Sequence, residues 1–257
     1  MNKKILLSAL LIAVSATSVG CKRSNQIQNG ASQSPVSEAK STDSASNANA
    51  EDSNSNAAAA DTATKAGQPQ LKIKDITSQV TWGYRPANRG RNDIDIIVVH
   101  SNYHVVNQQK QIFDFNVDGC IKQFRDGGTA PHYMITRDGT ILKMVDEKNV
   151  AYQAGKSALP DGSRTMLNTS SIGIEVISMK RNGPTEAQYR ALDTLIKDIC
   201  SRYDIQYLTR HSDIATPRGR KDDPWGMDWK RVVDNVKAKY PNITTYNIPV
   251  KNNPQFK

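Results

Sequence analysis

The sequence predicts an α/β domain in which a central mixed β-sheet is flanked by helices. Two observations carry that expectation. Short β-branched runs interleave with longer segments of helical apolar period. Histidines also stand where two of those runs end, at His100 and His211, and open α/β sheets keep their chemistry at strand ends and in the loops that follow.

Asp93 to His100 reads as a buried strand, because Ile96-Ile97-Val98-Val99 run straight up to the histidine. Val105 to Arg125 carries Val106, Phe113, Val117, Cys120, Ile121 and Phe124 at a loose helical period, and Gly127-Gly128 would stop that helix. Tyr133 to Val145 reads as a hairpin, since Arg137-Asp138-Gly139 supplies the positive φ of a tight turn. Ser171 to Ser178 is a further strand, with Ile172, Ile174 and Val176 on one face and Gly173, Glu175 and Ile177 on the other. Thr185 opens a helix through a capping box with Gln188, and Leu192, Leu195, Ile196, Ile199 and Tyr203 form its apolar stripe. Gln206 to Thr209 is a short strand leading into His211. A last helix over Asp228 to Tyr240 turns Trp229, Val232, Val233 and Val236 inward.

Ahead of this domain, predicted over 69–257, lie two segments of different character. Met1-Asn2-Lys3-Lys4 is basic and Ile5 to Val14 apolar, too short to cross a bilayer comfortably, so residues 1–20 read as a secretory signal. Ser18-Val19-Gly20-Cys21 resembles a bacterial lipobox, with Ser18 where Leu is usual. Two readings stay open: cleavage before Cys21 with lipid attached to it, or ordinary cleavage with a free thiol. The first, with Lys22 rather than Asp after the cysteine, implies an outer-membrane lipoprotein facing the periplasm. Residues 21–68 are mainly Ser, Ala, Asn and Gln and are expected to be disordered, because they hold too little apolar surface to offset the entropy of ordering. Such a coil averages roughly 40 Å end to end and stretches to about 150 Å, enough for a tether or merely an inert spacer.

Lys and Arg total 34 against 25 Asp and Glu, a net charge of +9. That excess suits nucleic acid, an anionic membrane or an acidic substrate, or only a solvated surface. No nucleic-acid motif accompanies it. Cys120 and Cys200 fall on predicted helices, where an oxidising compartment would allow a disulfide and burial would leave two thiols.

A lone His100 would be read as a core histidine. With His211 and a carboxylate in the run Arg220-Lys221-Asp222-Asp223-Pro224, two imidazoles and one carboxylate match a zinc site that leaves its fourth position open. That donor set points to a metal-assisted hydrolase.

Four pieces in order, Ile96 to His100, His132-Tyr133-Met134-Ile135 with Arg137-Asp138-Gly139-Thr140, Ser171-Ile172-Gly173-Ile174-Glu175, and His211 to Pro224, resemble the type-2 amidases. These are zinc enzymes that cleave the N-acetylmuramoyl-L-alanine bond of peptidoglycan and share a fold with peptidoglycan recognition proteins; the pattern is most similar to their AmpD and AmiD branch. The resemblance spans roughly residues 85–240. It implies Zn2+ held by His100, His211 and Asp223, the last selected over Asp222 because the family spacing is Lys, any residue, Asp, Pro. It implies Glu175 as the general base that takes a proton from the attacking water and passes it to the leaving amine, and Lys221 as the charge facing the oxyanion. Asn168 and Tyr152 match positions on the substrate side. His132 matches a family histidine that is not a ligand, placed beside the substrate or in the hairpin core. His104 has no family role and is expected at the surface or rim. Tyr152-Gln153-Ala154-Gly155 stands where the family usually has Trp-His-Ala-Gly. The implied partners are muropeptides and, through Cys21, a membrane; the implied state is a monomer. A non-catalytic peptidoglycan-binding lipoprotein is the alternative. A secreted antibacterial effector fits less well with the apparent lipid anchor.

Overall fold

The computed structural model describes residues 71–249, so the signal segment, Cys21 and the 21–68 linker lie outside the described residues. In chain order the strands are β1 (Ile73–Asp75), β2 (Tyr84–Arg85), β3 (Ile96–Asn102), β4 (His104–Asn107), β5 (Ile112–Asp114), β6 (Tyr133–Ile135), β7 (Ile141–Lys143), β8 (Val150–Ala151), β9 (Ser171–Ile177), β10 (Tyr207–Arg210) and β11 (Thr244–Thr245). The helices are α1 (Val117–Asp126), α2 (Glu186–Arg202), α3 (His211–Ile214) and α4 (Trp229–Lys237). Among the described residues the main sheet has seven strands in the order β1-β7-β6-β9-β3-β10-β11. Only β6 and β7 pair antiparallel in it, which makes the sheet mixed as expected.

Side chains alternate across the sheet and so divide the core. Ile97 and Val99 of β3 and Ile172, Ile174 and Val176 of β9 pack with Leu192, Leu195, Ile196 and Ile199 of α2 and Trp229, Val232 and Val236 of α4. On the opposite face Ile96 and Val98 meet Ala154, Leu159, Leu167 and Ile214, while Ile177 meets Met134, Leu142 and Cys120 of α1. His100 and Glu175 share this second face. Each buried aliphatic side chain contributes about 1.5–3 kcal/mol, so the sheet is held rigid on both sides of the residues it presents.

Local signals explain most boundaries. At α2 the Thr185 hydroxyl accepts from the Gln188 amide at 3.1 Å and the Gln188 side chain accepts from the Thr185 amide at 3.0 Å, the expected capping box. The β6–β7 turn needs Gly139, whose φ is +84° and whose added Cβ would lie 2.8 Å from the Ala187 carbonyl oxygen.

The long helix expected over 105–125 is corrected to a hairpin followed by a short helix. β4 and β5 pair antiparallel, and Asn107 accepts from the Lys110 amide in the turn between them. The helix starts only at Val117, where the Asn116 side chain accepts from the Gly119 amide at 2.7 Å. Val106, read as part of the helical period, is exposed on the hairpin instead, as is Ile112. The disulfide alternative is not realised: Cys120 and Cys200 are free thiols on opposite faces of the sheet, and burial pushes both up to about 12.

Arg89 ties the approach to the site together. Its buried guanidinium donates to the carbonyls of Glu147, Asn168, Thr169 and Ser171. Arg89→Met strands those acceptors in the interior and should lower the unfolding free energy by about 3 kcal/mol. Urea denaturation of both proteins measures it, and a loss under about 1 kcal/mol would contradict the structural role.

Candidate active site

Register brings the polar residues together. In the parallel β3–β9 ladder His100 stands opposite Glu175, and in the β10–β3 ladder Arg210 stands opposite Val99, which sets His211 beside His100 as β10 turns into α3. The two imidazoles meet edge to face with centroids 4.4 Å apart. Asp223 reaches between them from the loop after α3, with Oδ1 3.1 Å from His211 Nδ1 and Oδ2 3.5 Å from His100 Nδ1. The Ser212 amide donates to the Asp223 carbonyl, and the Trp225 amide donates to the Ser101 hydroxyl at 2.6 Å, so α3 and β3 fix the loop.

All three side chains are buried, and one donor atom from each lies within 4.8 Å of the others. Donors about 2.05 Å from a tetrahedral zinc are about 3.3 Å apart, and each imidazole has an Asp223 oxygen near that spacing, Oδ1 at 3.1 Å from His211 Nδ1 and Oδ2 at 3.5 Å from His100 Nδ1. The chemistry of the donor set and its spacing therefore fit a tetrahedral divalent metal.

Glu175 is the second unusual group. It is 7% exposed, and its Oε2 has no hydrogen-bond partner. Burial pushes its carboxyl up to about 7; His100 and Lys221 pull down and Asp223 pushes up. A buried carboxylate left unpaired is costly, and such costs concentrate at working sites. Lys221 is half-buried on the Asp223 loop, near enough for its charge to act on Glu175.

The remaining expected residues fall in different places. Tyr152 is 38% exposed, and its amide donates to the Gly83 carbonyl. Asn168 spends its side-chain oxygen on the backbone, accepting from the Gln153 and Ala154 amides. His132 as a substrate contact is corrected: it is 0% exposed behind β9. Its Nδ1 accepts from the Gly173 amide and its Nε2 faces the Asn149 carbonyl, and burial followed by Arg89 brings its imidazole down to about 3. It belongs to the hairpin core, where the uncharged ring links β9 to the residue just before β8. His104 is paired with Asp114 on the hairpin. Asp222, passed over as a ligand in favour of Asp223, is half-buried and paired with Lys180 at 3.3 Å.

Sequence reasoning assigned no role to two residues that touch the centre. Gln153 Oε1 is 2.5 Å from His100 Nε2, and Arg220 donates to the Ala154 carbonyl that also faces His211 Nε2. The departure at Gln153 was the available signal; Arg220 left none. Tyr103 and Trp225 add an aromatic edge beside the ligand loop, 5.2 Å between centroids.

With this geometry established, known proteins give the context. The model of the N-acetylmuramoyl-L-alanine amidase family, Amidase_2, matches residues 90–226, more than half of the chain and all four metal and carboxylate positions. The chain belongs to this family. Within it the chain is 31% identical over 149 residues to N-acetylmuramoyl-L-alanine amidase AmiD of Escherichia coli (strain K12), covering 51% of this chain and 52% of that protein. It is 35% identical over 105 residues to 1,6-anhydro-N-acetylmuramyl-L-alanine amidase AmpD of Citrobacter freundii, covering 40% of this chain and 54% of that protein. The chain thus spans about half the length of the curated relatives it matches. A crystal structure of a selenomethionine AmpD derivative superposes with a TM-score of 0.51 at 23% identity, over 65% of this chain and 96% of that one, which shows the shared type-2 amidase fold.

The strained carboxylate makes a stability prediction. A carboxyl raised from an ordinary 4.5 to about 7 by burial binds its proton more tightly folded than unfolded, so it costs stability progressively as pH rises through that window. In metal-free protein, Glu175→Gln should melt higher than wild type at pH 8 and about equally at pH 4.5. Melting curves at both pH values check this; equal melting at pH 8 would mean that the carboxylate is paired after all.

Proposed function

We propose that this type-2 amidase hydrolyses the amide between N-acetylmuramic acid, intact or in its 1,6-anhydro form, and L-alanine, in a zinc-dependent reaction serving peptidoglycan turnover or recycling. The observation that carries the reading is the pairing of His100, His211 and Asp223 with an unpartnered carboxylate, Glu175, directly across the β3–β9 ladder. The names of AmiD and AmpD, both amidases acting next to L-alanine, support the same bond.

Zinc held by the three donors would supply a Lewis acid that polarises the carbonyl and makes water nucleophilic near neutral pH. Glu175, raised by burial to about 7, is suited to accept a proton from that water and return it to the leaving nitrogen. The Lys221 ammonium would balance the charge that develops on the carbonyl oxygen. A binding protein without activity would have no use for a buried carboxylate at this cost.

Glu175→Gln keeps the volume and removes the proton acceptor, so kcat should fall by a factor of about a thousand while KM and zinc content change little. Lys221→Ala should lower kcat by about a hundredfold. Steady-state kinetics on defined muropeptides decide, and normal turnover by Glu175→Gln would sink the mechanism.

The reading extends to location. The basic start, the short apolar run, Ser18-Val19-Gly20-Cys21 and the Lys22 that follows support a lipid-anchored enzyme at the outer membrane, facing the periplasm. Cys21→Ala should move the protein from the membrane fraction to the soluble periplasm with catalysis intact. Unchanged fractionation would reject anchoring through Cys21.

A further inference from the structure

The centre raises the question of what points both imidazoles at Asp223. A neutral imidazole has one lone pair, and the nitrogen that meets an acceptor carries the proton. Gln153 Oε1 can only accept, so the contact at 2.5 Å makes His100 Nε2 the donor and leaves the lone pair on Nδ1. The Ala154 carbonyl can only accept, so the contact at 3.2 Å does the same for His211. Both free lone pairs then face the Asp223 carboxylate, at 3.5 and 3.1 Å. Three electron-rich groups turned on one another repel, and a cation between them removes the repulsion.

Both acceptors come from adjacent residues, and that pair is itself held. The amides of Gln153 and Ala154 donate to the single side-chain oxygen of Asn168, at 3.3 and 2.9 Å. The Gln153 side-chain Nε2 donates to the fully buried Ser171 hydroxyl at 2.8 Å, which turns the Oε1 end toward His100. Gly173 makes room for this, since a Cβ there would lie 2.6 Å from Gln153 Cγ.

We infer that Gln153 and Asn168 are positioning residues of the metal centre: Asn168 clamps the Gln153-Ala154 pair, and the pair sets the tautomer and aim of both histidine ligands. The inference rests on the zinc reading of the site. It also gives Asn168 a task at the metal instead of at the substrate.

The test uses full-length protein and zinc alone. Zinc affinity by chelator competition should weaken by about 10–100-fold in Gln153→Met, which keeps the length and loses the acceptor, and in Asn168→Ala. Gln153→Glu and Asn168→Asp restore an acceptor and should stay within about threefold of wild type. Long-range 1H–15N spectra of metal-free protein should show His100 and His211 protonated on Nε2, and Gln153→Met should lose that preference at His100 alone. Gln153→Met binding zinc as tightly as wild type would overturn the inference. So would Gln153→Glu falling as far as Gln153→Met, since packing would then be the cause, or His100 protonated on Nδ1 in wild type. Wild type that takes up no zinc would overturn the metal reading and this inference with it; the other failures leave the metal reading standing.

Discussion

The parallel pairing of β3 with β9 is the interaction on which the site depends. Its register sets His100 against Glu175, so one ladder holds a metal-ligand candidate and a proton-transfer candidate at fixed separation. The ladder continues into β10, whose end delivers His211. Packing of α2 and α4 on the far face leaves this register no freedom, because a slip by one residue would turn Ile97, Val99, Ile172 and Ile174 out of the core. The same alternation that builds the core thus aims the polar groups at the other face.

That arrangement is electrostatically uncomfortable. Glu175 is buried without a hydrogen bond for Oε2, and Asp223 faces two imidazoles in the interior. The chain tolerates this because the neighbourhood is satisfied elsewhere: Arg89 collects the carbonyls of Glu147, Asn168, Thr169 and Ser171, Asn168 collects the amides of Gln153 and Ala154, and Ser101 and Ser212 fix the Asp223 loop. Well-satisfied surroundings let a few reactive groups stay under strain, which is the usual bargain of an active site.

Much of this was legible in the sequence, for identifiable reasons. β-branched runs marked β3 and β9, Asp-Gly marked the β6–β7 turn, and Thr185 with Gln188 marked the start of α2, because each is a local signal. The donors His100 and His211 were visible because strand ends are sequence features, and Asp223 because the resemblance to the type-2 amidases supplied the spacing that singles it out from Asp222. The β4–β5 hairpin was not, since Val106, Phe113 and Val117 mimic a helical period while the pairing that overrides it is not written in any window. His132 was ambiguous because only burial distinguishes a core histidine from one at the substrate. Gln153 and Arg220 act through contacts made across long stretches of chain, and no spacing rule reaches them.

The central claim is that a metal at His100, His211 and Asp223 works with Glu175 to cut one amide bond. It is tested most directly by incubating the purified protein with a muramic acid tripeptide, with chelator and then with zinc restored, and weighing the products. The account predicts free sugar and an L-alanine-terminated peptide in the zinc samples and intact substrate with chelator. Cleavage that persists in chelator, or products split at any other bond, would contradict it.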